Sequence, residues 1–482
     1  MPSQIDPSSP VENSAKNQSA HNALGAAGID STSSAYAHNP DFENGRWFPT
    51  WQPYKGNLDR DPVGIHEYLP ASKSVLMGVQ HTFAMFGATV LAPLLMGFDP
   101  NLAILMSGIC TVMFFVITGG RMPSYLGSSF AFIGPVIAMT AYAGAGFNDN
   151  LNIALGGIMA CGIIYALIGL LVMKTGTGWI ERLMPPIVTG AIVMIIGLNL
   201  APVTVQGVSA NQFDAWMATL TVLLISVVAV FTRGMLRRLL LLVGLVLSYI
   251  AYFVMTNILG FGTAIDFSSV AAASWFGLPS IHTPRFDMNA IILIAPVAFI
   301  LAAENLGHFK AVEGMTKARV TPYMGRAFFA DGLATTFSAG FGGTGVTTYA
   351  ENIGVMAVTK VYSTTIFVVA GLVAILLGLS PKFGAIIQTI PAALLGGASI
   401  VVFGLIAVAG VKIWIDSHID FSKNSNLIIA AVTVIMGTGN FSLHLGGFDL
   451  GGIGTATLAA IILNTLFNYG SEAKDAKQSL AK

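Results

Sequence analysis

The sequence predicts an all-α polytopic membrane protein, and three observations carry that prediction. Of the 482 residues, 54% are hydrophobic and only 10% are charged, whereas a soluble domain carries roughly 25% charged residues. From about Val75 to Tyr469 the chain is a succession of apolar runs, several long enough to cross a hydrocarbon core of roughly 30 Å as helices of about 20 residues. Hydrocarbon offers a peptide group no partner, so a segment inside it must pair its own N–H and C=O groups, which a helix does.

Composition also argues against several classes. Net charge is zero, which gives no electrostatic reason to expect a nucleic-acid partner. Cys110 and Cys161 lie in apolar segments and read as buried small side chains, with no disulfide framework or metal cluster. There is no clustered set of metal ligands, no P-loop and no dinucleotide fingerprint, so no cofactor and no ATP-driven step is expected. Ser, Ala, Asn and Pro dominate residues 1–40, a composition of disorder. The aromatic stretch NGRWFPTWQPYKG at 44–56 is expected against the membrane interface. No apolar stretch near the start resembles a signal peptide.

Taken in order, the plain spans run roughly over 75–97, 101–119, 150–173, 183–202, 214–232, 239–260, 289–309, 323–341, 363–380, 390–411, 425–438 and 452–469. Two further stretches, 122–143 and 344–359, start near Gly, Thr, Ser or Pro and become shorter apolar runs. Counted as broken spans, they bring the total to fourteen.

Charge tests the count, because Lys and Arg accumulate in cytoplasmic loops. With the amino terminus inside, the inner loops hold Arg121, Lys174, Arg182, Arg233, Arg237, Arg238, Lys310, Lys317, Arg319, Arg326, Lys360, Lys412 and Lys423, and the tail adds Lys474, Lys477 and Lys482. The outer loops hold only Arg285 and Lys382. Removing either broken span spoils this bias.

The halves echo one another. MPPIVTGAIVMIIG at 184–197 and IPAALLGGASIVVFG at 390–404 share a Pro and the Gly five positions on, Pro185 with Gly190 and Pro391 with Gly396. GGRMPSYLGSSFAF at 119–132 and GGTGVTTYAENIGV at 342–355 both open on paired glycines and pass through small hydroxyl residues. Seven spans is an odd number, so the two halves of a tandem repeat are inverted in the membrane. Paired broken segments in inverted halves point to a binding site near the midplane, although small residues also serve simply to let helices approach.

Charged groups within spans are costly and usually functional. Three acids stand out: Glu304, Asp331 and Glu351. Glu304 and His308 are four residues apart and share a helix face, with Asn305 and Gly307 beside them. A protonated carboxyl donates a hydrogen bond as well as accepting one, and an ionised one only accepts. Proton loading at Glu304 or Glu351 therefore switches how a neutral, planar, amide-like ligand is held. Asp331, near Arg326, reads more simply as a pairing or helix-ending group. Gln80 and His81 early in the first span fit either a proton path or an interhelical hydrogen bond.

QHTFAMFGATVLAP at 80–93, PSYLGSSFAFIGPV at 123–136, AAENLGHFKAV at 302–312 and TTYAENIGVMAVTKVYST at 347–364 resemble the signature regions of the nucleobase:cation symporter-2 family, the nucleobase–ascorbate transporters. Within it the chain is most similar to the pyrimidine permeases of bacterial uracil catabolism, over about residues 70–470. The resemblance implies fourteen spans in two inverted seven-span repeats, with short crossing strands in broken spans 3 and 10. It implies a cytoplasmic extension (1–70), a core domain (71–175 with spans 1–4, 287–381 with spans 8–11), a gate domain (176–286 with spans 5–7, 382–470 with spans 12–14) and a cytoplasmic tail (471–482). The family's substrate-binding glutamates fall on Glu304 and Glu351, and its proton-linked histidine on His308. Backbone contacts fall on Phe130 and Ala350, the latter a glycine in one uracil carrier of the family. Ala88 falls on the pocket lining and His81 on a histidine implicated in coupling. Import of uracil or thymine with H+ by alternating access, a homodimer and a bacterial inner-membrane location follow as expectations. A xanthine or purine carrier is the alternative within the family. An anion carrier of the same architecture is disfavoured by Glu304 and Glu351, a channel would need a continuous polar pore, and an enzyme lacks a visible nucleophile with oxyanion donors.

Overall fold

A computed structural model describes residues 46–480 apart from 59, 143–145, 209–210, 446–447 and 450, so the disorder expected of residues 1–40 lies outside the described residues. The chain divides into Met1–Arg46 and Trp47–Lys482; everything below concerns the second unit.

A short parallel pair, β1 (Gln52–Pro53) with β2 (Glu67–Tyr68), precedes the helices. There follow α1 (Ala71–Met96), α2 (Pro100–Ile117), strand β3 (Leu126–Ser128), a 3-10 turn (Phe130–Phe132) leading into α3 (Ile133–Thr140), and α4 (Leu151–Thr175). Next come α5 (Pro186–Val208), α6 (Gln212–Phe231) and α7 (Leu240–Phe253), the last extended by a π turn to Ile258. The second half holds α8 (Met288–Ile294), α9 (Val297–Thr316), α10 (Met324–Gly340), strand β4 (Val346–Thr348) and α11 (Ala350–Thr359). It closes with α12 (Thr364–Gly378), α13 (Pro381–Gln388), α14 (Ala392–Asp416), α15 (Asn424–Thr438) and α16 (Gly452–Leu480).

Among the described residues, eight helices are long and apolar enough to cross a membrane, or nine when α12 and α13, bent by 79° at their junction, count as one span. Phe130–Thr140, Asn424–Thr438 and Gly452–Phe467 are shorter apolar helices. They fall where spans were expected but do not reach full length alone.

Both stretches read as broken spans contain a strand, and the strands pair antiparallel: Leu126 opposite Thr348, Gly127 opposite Thr347, Ser128 opposite Val346. A two-stranded ribbon leaves peptide groups open on its outer edges, and at membrane depth protein has to satisfy them. Two threonines do so. Thr111 of α2 accepts from Leu126 N–H at 3.0 Å, and Thr335 of α10 accepts from Val346 N–H at 3.2 Å. The Thr335 hydroxyl also donates to Val346 O at 3.0 Å, whereas that of Thr111 donates to Ser107 O at 2.8 Å with Leu126 O farther off at 3.3 Å.

The helices pack in two groups. In the first, α10 lies on α4 and α2, α12 on α2 and α1, and α8 on α4. In the second, α14 lies on α5 and α6, α6 on α7, and α15 on α5 and α16. Small residues set the closest approaches. A Cβ at Gly162 of α4 would stand 2.6 Å from Thr336 N, and one at Gly332 of α10 would stand 2.2 Å from Ala166 N. Gly190 and Gly410 do the same between α5 and α14, each facing the other's carbonyl oxygen at 2.8 and 2.4 Å. Cys110 and Cys161 are buried free thiols.

The aromatic stretch after residue 46 is fastened to the helices. Trp47 Nε1 donates to Val116 O at 2.8 Å and Trp51 Nε1 to Thr364 Oγ1 at 3.1 Å, so the segment is bonded to the ends of α2 and α12.

Candidate functional site

Each strand hands over to a helix after one residue: β3 through Ser129 to Phe130, and β4 through Tyr349 to Ala350. Helix first turns leave N–H groups without intrahelical partners, and Tyr349 makes no side-chain cap to α11. Phe130 and Ala350 both line a cavity of about 890 Å³, so two helix starts, with their positive dipole ends, meet it side by side.

Glu304 and His308 of α9 and Glu351 of α11 line the same cavity. Glu304 and Glu351 are only partly exposed, and among the described residues no other side chain bonds either carboxylate. Two carboxylates and the uncapped first turn of α11 thus meet in one cavity, while at the other helix start the Ala131 N–H is already taken by Ser129 Oγ at 3.3 Å. The opposite wall comes from the second helix group, with Thr189, Val193 and Ile196 of α5 and Val402, Leu405 and Ile406 of α14. The cavity continues to Lys310, Glu181 and Ser417 at one end of the bundle. There Lys310 Nζ and Glu181 Oε1 form an ion pair of 2.8 Å between α9 and the short helix Gly178–Leu183 that precedes α5.

Behind the acids lies a hydrogen-bond chain. Asn305, fully buried, donates to Tyr165 Oη at 2.6 Å and to Asp331 Oδ2. Its Oδ1 accepts from Thr347 at 3.2 Å and from Thr348. All four hydrogen-bonding positions of the amide are filled, which fixes its orientation. Thr348 Oγ1 lies 2.9 Å from His308 Nδ1. Since the Thr348 proton goes to Asn305, His308 donates through Nδ1, and Nε2 is left as the ring's acceptor.

A family model described as "Permease family", Xan_ur_permease, matches residues 72–446. The chain belongs to the Xan_ur_permease family. Among the permease's relatives, "Putative pyrimidine permease RutG" of Escherichia coli K12 is 64% identical over 421 residues, covering 87% of this chain and 95% of the relative. The uracil permease of the same organism is 37% identical, covering 85% and 95%. That of Bacillus subtilis is 34% identical, covering 85% and 96%. Two solved structures share the fold at low identity. The murine anion transporter Slc26a9 in its inward-facing state aligns with TM-score 0.61 at 12% identity, over 98% of this chain and 77% of that one. The transmembrane domain of the cyanobacterial bicarbonate transporter BicA aligns with TM-score 0.56 at 17% identity, over 82% and 97%.

In this permease, Glu304, Glu351, His308, Phe130 and Ala350 come together at the cavity. Ala88, with Ala84 and Gly87, borders an adjoining space of about 100 Å³ that shares Leu241, Glu351 and Leu405 with the main cavity. His81 is buried away from both, its Nδ1 and carbonyl each 3.0 Å from Asn352 Nδ2 and its ring 4.7 Å from that of Phe367. Its hydrogen bonds connect it to the residue after Glu351. Asp331 is not paired with Arg326. It lies fully buried inside α10 against Asn305, while Arg326 sits over the rings of Trp47 and Tyr323. Sequence reading missed Tyr165, Thr335 and Thr111, whose partners are far along the chain; Thr347 and Thr348 were signalled by the hydroxyl-rich TTYAEN stretch.

Proposed function

We propose that this permease imports a pyrimidine nucleobase, uracil or thymine, by symport with H+. The observation that carries the reading is the convergence of Glu304 and Glu351 with the helix starts at Phe130 and Ala350 on one cavity. Uracil is planar and neutral and presents alternating N–H and C=O groups. Carboxylates accept from the first, and first-turn N–H groups donate to the second. A site built this way penalises any analogue that leaves one partner unpaired. The printed names of the relatives, pyrimidine and uracil permeases, support the substrate class.

His308 and Glu304, one turn apart, are the proposed proton-coupling pair. Thr348 ties His308 to the strand that leads into Ala350, so a change of protonation at the ring bears on the substrate's backbone donors.

The packing favours fourteen spans in two inverted repeats. Exchanging each span with the seventh after it turns the α1–α12 contact into α8–α4, α2–α12 into α10–α4, α6–α14 into α15–α5, and α6–α7 into α15–α16. Thr111 on β3 becomes Thr335 on β4. The first helix group is then the core domain and the second the gate, and alternating access is their relative movement around the fixed site. With the Lys- and Arg-rich end and both termini on the cytoplasmic side of a bacterial inner membrane, the cavity reaching Lys310 and Ser417 is open inward.

An anion carrier shares this fold, but two carboxylates at the cavity repel anions. Uptake into proteoliposomes of uracil, thymine, xanthine and bicarbonate, with and without an inward proton gradient, tests the proposal. Uracil or thymine should show saturable, gradient-driven uptake, and E304Q and E351Q should each lower it by roughly tenfold, the equivalent of about 1.4 kcal/mol. Unchanged uptake in both variants refutes the site; preferred uptake of xanthine or bicarbonate refutes the substrate.

A further inference from the structure

Residues 47–70 lie before the first residue of the family match, at position 72, yet they are bonded to the first helix group at several points. Val63 N–H donates to Lys360 O at 2.9 Å, and Tyr362 N–H donates to Val63 O at 2.9 Å, a parallel bridge onto the turn that ends α11. Thr364 N–H, where α12 starts, donates to Ile65 O at 3.1 Å. Val63, Leu69, Val361 and Ile366 are buried together in a small apolar cluster. Farther up the segment, the Trp51 ring stacks on Phe115 with centroids 5.7 Å apart, and Arg326 lies 4.7 Å from the Trp47 ring centre. Gly119, in the left-handed region at φ 68°, leaves room for the segment's backbone: a Cβ there would be 2.2 Å from Trp47 O.

We propose that this segment is a brace that positions α11, and with it Glu351, in the substrate site. The proposal rests on the reading of Glu351 as a substrate ligand. Helix α11 has ten residues, a rod of about 15 Å. Its first turn carries Glu351 and is held by β4, and by Asn352 on His81. Its last turn ends at Lys360, itself in the left-handed region at φ 54°, and the brace bonds that residue's carbonyl. So short a helix held at one end can tilt about that end; pinned at both, it keeps its first turn in place relative to Glu304. Because every contact named here goes to α2, α10, α11, α12 or the turns that end α2 and α11, and α11 itself packs on α1, the brace travels with the first helix group and leaves movement against the second unhindered.

The test uses the full-length permease in nanodiscs, comparing V63P, which lacks the N–H that bonds Lys360, and W51F, which keeps the stacked ring but loses the bond to Thr364. Three quantities are read: amide exchange in α11 and α4 without ligand, uracil affinity by calorimetry, and thermal stability. V63P should speed exchange in α11 about tenfold with α4 unchanged and weaken uracil binding three- to tenfold; W51F should move both in the same direction by less. Wild-type exchange in α11 overturns the proposal. So does faster α11 exchange with wild-type uracil affinity, which would make the segment a structural fastening only. Should V63P fail to fold, W51F decides, and wild-type exchange and affinity in it overturn the proposal. E351Q, measured alongside, separates the two readings: wild-type affinity in E351Q removes the substrate role of Glu351, while the ligand-free exchange still reports on the brace.

Discussion

His308 Nδ1 stands 2.9 Å from Thr348 Oγ1, joining the helix that carries Glu304 to the strand that leads into Ala350 and Glu351. T348V removes the shared hydroxyl, leaving the ring without its hydroxyl partner and Asn305 Oδ1 with Thr347 alone. A buried polar group stripped of its partner costs about 1–3 kcal/mol. T348V should therefore lower stability by that amount in denaturation and flatten the pH profile of uptake, while T348S restores both. A wild-type pH profile in T348V would disconnect Thr348 from coupling.

The approach of α4 to α10 depends on the absence of a side chain at Gly162. G162V forces the two apart and should cost about 1–3 kcal/mol, seen as a lower melting temperature. Gly307 is the contrasting case, since a Cβ there meets nothing within 4 Å and the residue lines the cavity. G307A should keep the wild-type melting temperature and reduce the accepted ring size, measured by competition of uracil uptake with larger nucleobases.

Asp99 caps α2, accepting from Asn101 N–H at 2.8 Å. Burial raises its carboxyl above the ordinary value of 3.8, opposed by the backbone N–H groups of Asn101 and Leu102 and by nearby His282. A carboxyl that holds its proton more tightly in the folded state than in the unfolded one makes stability fall as pH rises from 3.8 to the raised native value. D99N keeps the cap and removes the charge. It should match or exceed wild-type stability at pH 7 and lose that acid-range slope, whereas D99A should cost about 1 kcal/mol. Denaturation midpoints between pH 3 and pH 7 provide the check.

Lys310 and Glu181 pair across the two helix groups at the cavity mouth, with side chains 56% and 44% exposed. Exposed pairs contribute about 0–1 kcal/mol and weaken with salt. K310Q or E181Q should change the uptake KM by less than about fivefold, the difference should shrink in high salt, and the double reversal K310E/E181K should bring it back. A larger, salt-independent effect would place one of them in contact with the substrate.

The helical elements were legible because they depend on local properties. A run of apolar residues has one good solution in hydrocarbon, and Pro, Gly and hydroxyl residues interrupt it where they stand; so the two broken segments, and the i, i+4 placing of Glu304 and His308, could be read directly. Full length was less legible: α15 and the apolar part of α16 are shorter than a span needs by itself, because local hydropathy does not say how a helix end is finished.

Which distant residues meet was decided by tertiary structure. Nothing along the chain links Thr111 to Leu126 N–H across the ribbon edge, Tyr165 to Asn305, or Val63 to Lys360. Nor does the first span reveal that His81 turns to Asn352 while Ala88 borders a space beside Glu351. The sequence by itself determined that this chain crosses a membrane, where its helices break, and which acids stand in its interior. Only the packed structure decided which of them share a cavity, because hydrogen bonds and burial between remote segments depend on how the helix groups dock, and no local pattern encodes that.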